Sequence, residues 1–208
     1  MQITSQSFKH LGIIPGEYAF AVIDPQEHIR LSSNKNPHLS WSDAPAGTLS
    51  FALVCHDSDV PSSGENVNQE GKVVEASLPR VDFYHWLLIN IPADVHEIAA
   101  GSHSSGITAK GKAATSAPLG QHGINDYTAW FNGDAQMGGD YYGYDGPCPP
   151  WNDAIKHHYH FTIYALNVPQ LNLPERFTGQ ELLAALEGHV LQSASITGIY
   201  SLNPTVKL

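Results

Sequence analysis

A mainly β chain folded as one sandwich with a few peripheral helices is what this sequence predicts. Three observations carry that expectation. Strand-length apolar runs recur along the chain, glycine (18) and proline (14) are plentiful, and charged residues make up only 14% of the 208. Many turns between short strands produce that balance, and a chain of this length can bury one sizeable core. No repeat, low-complexity tract or sharp linker divides it, so residues 1–208 read as a single domain.

The elements follow in order. Tyr18 to Ile23 reads as a strand stopped by Asp24-Pro25, and Leu39 and Trp41 alternate as in a short half-buried strand after Pro37. Ala44 to Gly47 is a turn, after which the apolar run Leu49 to Cys55 reads as a central strand. Ser62 to Arg80 is polar and rich in Gly, Asn, Gln and Glu, a long loop of the kind that often carries function. Phe83 to Ile91, closed by Pro92, is the next strong strand; Gly101 to Gly123 is irregular; Tyr159 to Leu166 is a third strand. Late in the chain, Thr178 is placed to cap a helix over Gln180 to Glu187. Gly188 interrupts it, and a second helical stretch is expected to continue through Ile196.

Ten basic against twenty acidic residues give a formal net charge of −10. A field of that sign repels nucleic acid and anionic membrane surfaces, so any bound anion must be held in a local pocket. The N-terminus has neither a basic start nor an apolar run, and no stretch approaches the roughly 18 apolar residues of a membrane helix. No export signal and no membrane insertion are therefore expected, which makes the address cytoplasmic and the two cysteines, Cys55 and Cys148, free thiols.

Three polar clusters could carry chemistry. Asp57-Ser58-Asp59-Val60-Pro61 leaves the central strand; in extended chain Asp57 and Asp59 would address one site, whereas on composition alone the segment reads as a polar turn. His85-Trp86 lies inside an apolar strand, where a histidine is most often a core residue with one hydrogen bond made. The densest cluster runs from Gly146-Pro147-Cys148-Pro149-Pro150 to His157-His158-Tyr159-His160. Its prolines build a rigid wall, and Gly146 offers a free N–H and room for a ligand. His157, Tyr159 and Phe161 share one strand face, His158 and His160 the other. No third ligand at diagnostic spacing accompanies His158 and His160, so no metal and no cofactor is expected. No nucleophile elbow, phosphate-binding loop or zinc-protease motif is present, and Cys148 between two prolines reads as a small apolar group, so an enzyme is not expected.

In this order the clusters resemble the phosphatidylethanolamine-binding protein family, also called the Raf kinase inhibitor protein family. That pattern runs Asp-Pro-Asp-Ala-Pro, then His-Trp, then Gly-x-x-Pro-Pro with His-x-Tyr after it. Here it stands as Asp57 to Pro61, His85-Trp86, Gly146 to Pro150 and His157-His158-Tyr159. Asn36 to Trp41 is similar to the family's early strand, and Ser193 to Ile196 to a bacterial-type C-terminal end. The resemblance implies a two-sheet antiparallel β-sandwich with short peripheral and C-terminal helices. It implies a small surface pocket for phosphate, phosphoryl head groups or similar anions, lined by Asp57, Asp59, His85, Gly146, Pro149, Pro150, His157 and Tyr159. As partners it implies a phosphate-containing small molecule or phospholipid head group, a protein kinase or protease, and a second copy of the chain. Two features depart from the pattern: Ser58 and Val60 replace Pro and Ala, and the Ser62–Phe83 segment is long, a loop insertion over 62–83 placed to cover the pocket mouth.

A carboxylate in an anion pocket needs another task. Asp57 or Asp59 could orient an imidazole and hold it charged, so that His85 or His157, with the Gly146 N–H and the Tyr159 hydroxyl, donates to the anion; Asp59 could instead meet an ammonium group. The competing readings are a hydrolase working with an Asp/His pair and water, and a kinase- or protease-directed interaction module independent of the pocket.

Overall fold

Strict alternation of buried and half-buried side chains along residues 157–165 marks a strand with one face in a core, and the rest of the molecule is arranged around it. The computed structural model describes every residue, Met1–Leu208. Its strands are β1 (Gln2–Thr4), β2 (Gly12–Ile13), β3 (Ala21–Asp24), β4 (His28–Leu31), β5 (Leu39–Ser42), β6 (Ser50–Pro61), β7 (Arg80–Pro92), β8 (Glu97–Ile98), β9 (Gln121–His122), β10 (His157–Leu166) and β11 (Val190–Tyr200). Two short helices join them, α1 (Tyr127–Trp130) and α2 (Gly179–Leu186). The large sheet is ordered β2-β11-β10-β6-β7-β9 and the small one β1-β5-β8, while β3 and β4 form a separate hairpin. Pairing is antiparallel apart from β2, which runs parallel to β11. The expected all-β sandwich is therefore the observed fold.

The main core lies between the sheets. Leu53 and Cys55 of β6, Trp86 and Leu88 of β7 and Phe161 and Ile163 of β10 pack against Leu39, Trp41 and Ile98. The opposite face of the large sheet is covered by α2, whose Leu182 and Leu186 join Phe177 over Ala52, Val54, Leu87 and Ile89. Each leucine, isoleucine, valine or phenylalanine among them, fully buried, contributes roughly 1.5–3 kcal/mol. The helix starts on a capping box: Thr178 Oγ1 accepts the Glu181 N–H, and the Glu181 carboxylate accepts the Thr178 N–H. It ends before Gly188, whose φ of +75° suits a left-handed cap.

Three element boundaries differ from expectation. The segment after Gly188 is a strand, not a second helical stretch: β11 pairs with β10 from His157↔Tyr200 to Leu166↔Val190, and that ladder overrides the weak local preference of Ser193-Ala194-Ser195. Tyr18 ends a short 3₁₀ turn and β3 begins only at Ala21, because the Ala19 N–H donates to Gly16 and the Phe20 N–H to Pro147 instead of to a strand. Finally, Asp57 to Pro61 is the continuation of β6, paired with β7 as far as Pro61↔Arg80, not a turn.

The long loop holds no regular element between Ser62 and Pro79, yet it is tied down. Asn152 Nδ2 donates to the carbonyls of Asn66 (2.8 Å) and Lys72 (3.1 Å), and its Oδ1 accepts the Asn68 N–H (3.0 Å). No helix is long and apolar enough to cross a membrane. Both cysteines are free, Cys55 buried in β6 and Cys148 partly buried in the proline segment.

Candidate functional site

Two β-bulges shape the site. Opposite the single step from Cys55 to His56, β7 spends two residues, Trp86 to Tyr84, so His85 is the extra, unpaired one. A bulge re-aims its side chain. Trp86 therefore enters the main core and Tyr84 the α2 side, while His85 turns into a cavity. Further along, Asp57↔Phe83 is followed by Val60↔Val81, so here the extra residue is on β6. Before this second bulge Asp57 keeps the inward face; beyond it the alternation is broken. Asp59 leaves the cavity: its Oδ2 accepts the main-chain N–H and Nδ1–H of His158, at 2.7 and 2.8 Å. The expectation that Asp57 and Asp59 share one site fails on that bulge.

The cavity measures about 350 Å³. Asp57, His85, His157 and Tyr159 lie at its floor, Pro149 and Pro150 in its wall. The remaining lining is mostly apolar: Phe20 from the segment before β3, Leu31 from β4, Phe83 from β7, Tyr127 and Trp130 from α1, with Met137 beyond. Gly64, Val67 and Asn68 of the long loop also line the cavity. Six of the eight expected residues thus meet there, and two do not. Asp59 is one. Gly146 is the other: its N–H donates to Asn34 Oδ1 at 2.8 Å, and a Cβ at this position would lie 2.2 Å from the Tyr18 carbonyl oxygen. Its missing side chain makes room for backbone, not for a ligand.

The floor is a network of compensated charges. His157 Nδ1 donates to Asp57 Oδ2 at 2.7 Å and Nε2 to Asp153 Oδ2 at 3.1 Å. Asp153 also receives both terminal nitrogens of Arg80, at 2.6 and 3.1 Å. Burial alone would lower the pKa of His157, but the two carboxylates outweigh it and raise it to about 9. The ring is an imidazolium with both N–H groups spent. Burial works against ionisation of Asp57 too, yet the His157 charge holds its pKa below the usual carboxylate value. Asp57 Oδ1 accepts the Asp59 N–H at 2.8 Å.

His85 is built differently. Its Nδ1 is 2.7 Å from the main-chain oxygen of Asp145, which can only accept, so Nδ1 carries the proton. Burial drives its pKa down to about 4, leaving a neutral ring whose Nε2 faces the cavity without a protein partner. The anticipated imidazolium donor is therefore absent from both histidines: one is neutral, the other fully occupied. Asp145 is anchored by Asn34 Nδ2 (2.7 Å), Asn125 Nδ2 (2.8 Å) and Lys112 Nζ (2.7 Å). The Tyr159 hydroxyl is buried beside the Asp57 carboxylate but makes no well-aligned hydrogen bond. Cys148 lines the wall with a thiol that burial pushes up to about 12.

Sequence reasoning missed Asp153, Arg80 and the α1 aromatics. Asp153 stands four residues before His157, a spacing that could have signalled it; Arg80 and Tyr127 come from far along the chain and carried no local sign.

Comparison with known proteins agrees with the fold. A model of the family described as phosphatidylethanolamine-binding protein matches residues 4–201. The UPF0098 protein of Chlamydia muridarum is 32% identical over 202 residues, covering 96% of this chain and 98% of that one. The UPF0098 protein YbhB of Escherichia coli is 30% identical over 170 residues, 81% of this chain and 82% of the relative. Among solved structures, Escherichia coli YbcL, described as a new member of the mammalian PEBP family, superposes with a TM-score of 0.68 at 26% identity, covering 96% of this chain and 97% of that one. The putative PEBP homologue CT736 of Chlamydia trachomatis gives 0.63 at 28%, with 96% of both chains covered. With a sandwich of this topology, a pocket at the bulged junction of β6, β7 and β10, and a family match across nearly its whole length, the chain belongs to the phosphatidylethanolamine-binding protein family.

Proposed function

We propose that the chain is a binding module whose pocket holds a small oxyanion, phosphate or a phosphoryl head group, without turning it over. The observation that carries this reading is the Tyr159 hydroxyl, buried without a well-aligned partner at the polar floor of a cavity whose remaining lining is mostly apolar. An unpaired buried polar group costs roughly 1–3 kcal/mol, and a ligand oxygen placed against it recovers that cost. The charges beneath support the same reading. Arg80 offsets Asp153 and His157 offsets Asp57, so an oxyanion meets no net negative charge there despite the carboxylates.

The commitments of two reactive groups support binding without turnover. His157 has no free nitrogen with which to move a proton. Cys148, with its thiol held protonated, is a poor nucleophile. Thermal unfolding with inorganic phosphate tests the reading. At 100-fold excess over Kd the fold gains about 2.7 kcal/mol, a readily measured rise in Tm. The double variant Tyr159→Phe, His85→Ala should lose that rise; a rise of unchanged size would place the anion elsewhere. Hydrolysis of aryl phosphates or carboxyl esters that disappears in Asp57→Asn would replace the binding module with a hydrolase.

A further inference from the structure

The direction of each hydrogen bond at the floor restricts the ligand beyond its charge. Nδ1 of His85 is committed as a donor to the Asp145 carbonyl, so Nε2 of the neutral ring can only accept. Asp57 also only accepts, and after its bonds from His157 and Asp59 each oxygen retains a lone pair. The Tyr159 hydroxyl supplies one donor, and His157 supplies none. A fully ionised oxyanion brings nothing but acceptors to this arrangement. An oxyacid that keeps one proton brings both a donor and acceptors.

The rest of the cavity says what the oxyacid is attached to. Its volume of about 350 Å³ matches the space of about twelve water molecules at roughly 30 Å³ each, well beyond a phosphoryl group. Phe83 and Tyr127 meet edge to face at 5.3 Å, and Phe20 stacks on Tyr127 at 4.7 Å, so the wall above the floor is a continuous aromatic surface. Building on the oxyanion reading above, we propose that the pocket selects a singly protonated phosphate monoester carried on an apolar or aromatic group, and discriminates against phosphodiesters. The P–O–H donates to His85 Nε2 or Asp57, an unprotonated oxygen accepts from Tyr159, and the ester group lies along the aromatic wall. A diester, such as the linkage within an intact phospholipid, has no proton to give.

The pocket's own groups leave the ligand's ionisation exposed to view. Facing His85 are Asp57 from β6, His157 and Tyr159 from β10, Tyr127 from α1, and Cys148 and Asp145 from the segment before β10, with Lys112 behind Asp145; Asp153 and Arg80 lie behind His157, and His56 on the opposite sheet face. His85 titrates near 4 and His157 near 9, while burial raises both tyrosines well above their usual range. A phosphomonoester loses its second proton near pH 6.

Calorimetric titration of the full chain with phenyl phosphate, its methyl diester and inorganic phosphate, from pH 5 to 8, tests this. Phenyl phosphate should bind at pH 5 and weaken roughly 90-fold by pH 8, as its singly protonated fraction falls. The diester should be at least about tenfold weaker at pH 5, with no pH dependence, and inorganic phosphate weaker than phenyl phosphate. Equal affinity for the two esters, or phenyl phosphate affinity that holds to pH 8, overturns the inference and leaves the oxyanion reading standing. Diester affinity that climbs toward pH 5 alongside the monoester also overturns it, since His85 would then be the proton source. Failure of all three probes at every pH overturns both.

Discussion

The two sides of the pocket floor are made from the same ingredients, a buried histidine and a buried aspartate, with opposite results. On one side His157 is wedged between Asp57 and Asp153 and is held charged. On the other, His85 meets only the main-chain oxygen of Asp145, whose carboxylate is turned away toward Asn34, Asn125 and Lys112. The first ring sits at a regular strand position and the second on a bulge. Residue type therefore does not set protonation here; the partner oxygen does. The charged side is closed and structural, and the neutral side keeps one nitrogen open toward the cavity. A ligand is read by the side that contributes least to the fold.

That contrast breaks most sharply at Asp153. Asp153→Ala leaves the part-buried Arg80 guanidinium with only the Asp59 and Glu75 main-chain oxygens and strips one N–H of the buried His157 of its partner. Removing one partner of a buried ion pair typically costs about 3–5 kcal/mol. Urea unfolding should show a loss of that size. A loss under about 1 kcal/mol would mean that water reaches Arg80, and that the network is no anchor.

Much of this was legible in the sequence, and the gaps have physical causes. The long strands β6 and β7 announce themselves as continuous apolar runs and β10 by an apolar face of period two, and three of the four family-like motifs fall on them. His157 and Tyr159 were placed on one face by that same period. The bulges were not legible, since an extra residue in one strand leaves no mark on hydrophobic pattern, yet they decide that His85 enters the pocket and Asp59 leaves it. Gly146 was rightly flagged for close approach, but what approaches it is the Tyr18 backbone, 126 residues distant along the chain from the Tyr144 beside it. The α1 aromatics read as unremarkable apolar residues until folding brings them over the floor.

The pH dependence of stability sharpens the comparison by a somewhat smaller amount. His157 has its folded pKa raised, from an ordinary 6.5 to about 9, so its contribution is full below pH 6.5 and is lost as pH rises through about 9. That shift corresponds to a loss on the order of 3 kcal/mol. His85 runs the other way. Its folded pKa is lowered to about 4, so the unfolded chain takes up the proton first and stability falls as pH drops from 6.5 toward 4. Unfolding free energies from pH 4 to 10 should therefore peak near pH 6.5. Imidazole NMR provides the residue-level check, and a His157 resonance titrating near 6.5 would refute the clamp.

Asp145→Asn probes the neutral side. The amide retains part of the bonding to Asn34 and Asn125 but leaves Lys112 without its counter-charge. A cost of about 1–3 kcal/mol is expected, less than for Asp153→Ala. The His85 tautomer should not change, because its partner is the main chain. Nitrogen-15 shifts of His85 in the variant would report a switched tautomer if the carboxylate were the true determinant.

The smallest effect on the fold belongs to Tyr159→Phe, and it separates ligand reading from stability most cleanly. The ring of Tyr159 is fully buried in the main core, so the phenylalanine keeps the packing against its neighbours. Only the hydroxyl is lost, and in the free protein that hydroxyl has no well-aligned partner. Deleting a buried polar atom that makes no well-aligned hydrogen bond removes a desolvation cost and forfeits little, so stability should be unchanged or higher by up to about 1 kcal/mol. Binding should respond in the opposite sense. If the hydroxyl donates to a ligand oxygen, phosphate affinity falls by the worth of a hydrogen bond to a charged group, about 1.5–3 kcal/mol. Paired measurements of Tm without phosphate and Kd for phosphate decide the matter in one variant. A destabilised protein with unchanged Kd would show that Tyr159 serves the core alone, and the neutral side of the floor would then have no donor with which to hold an anion.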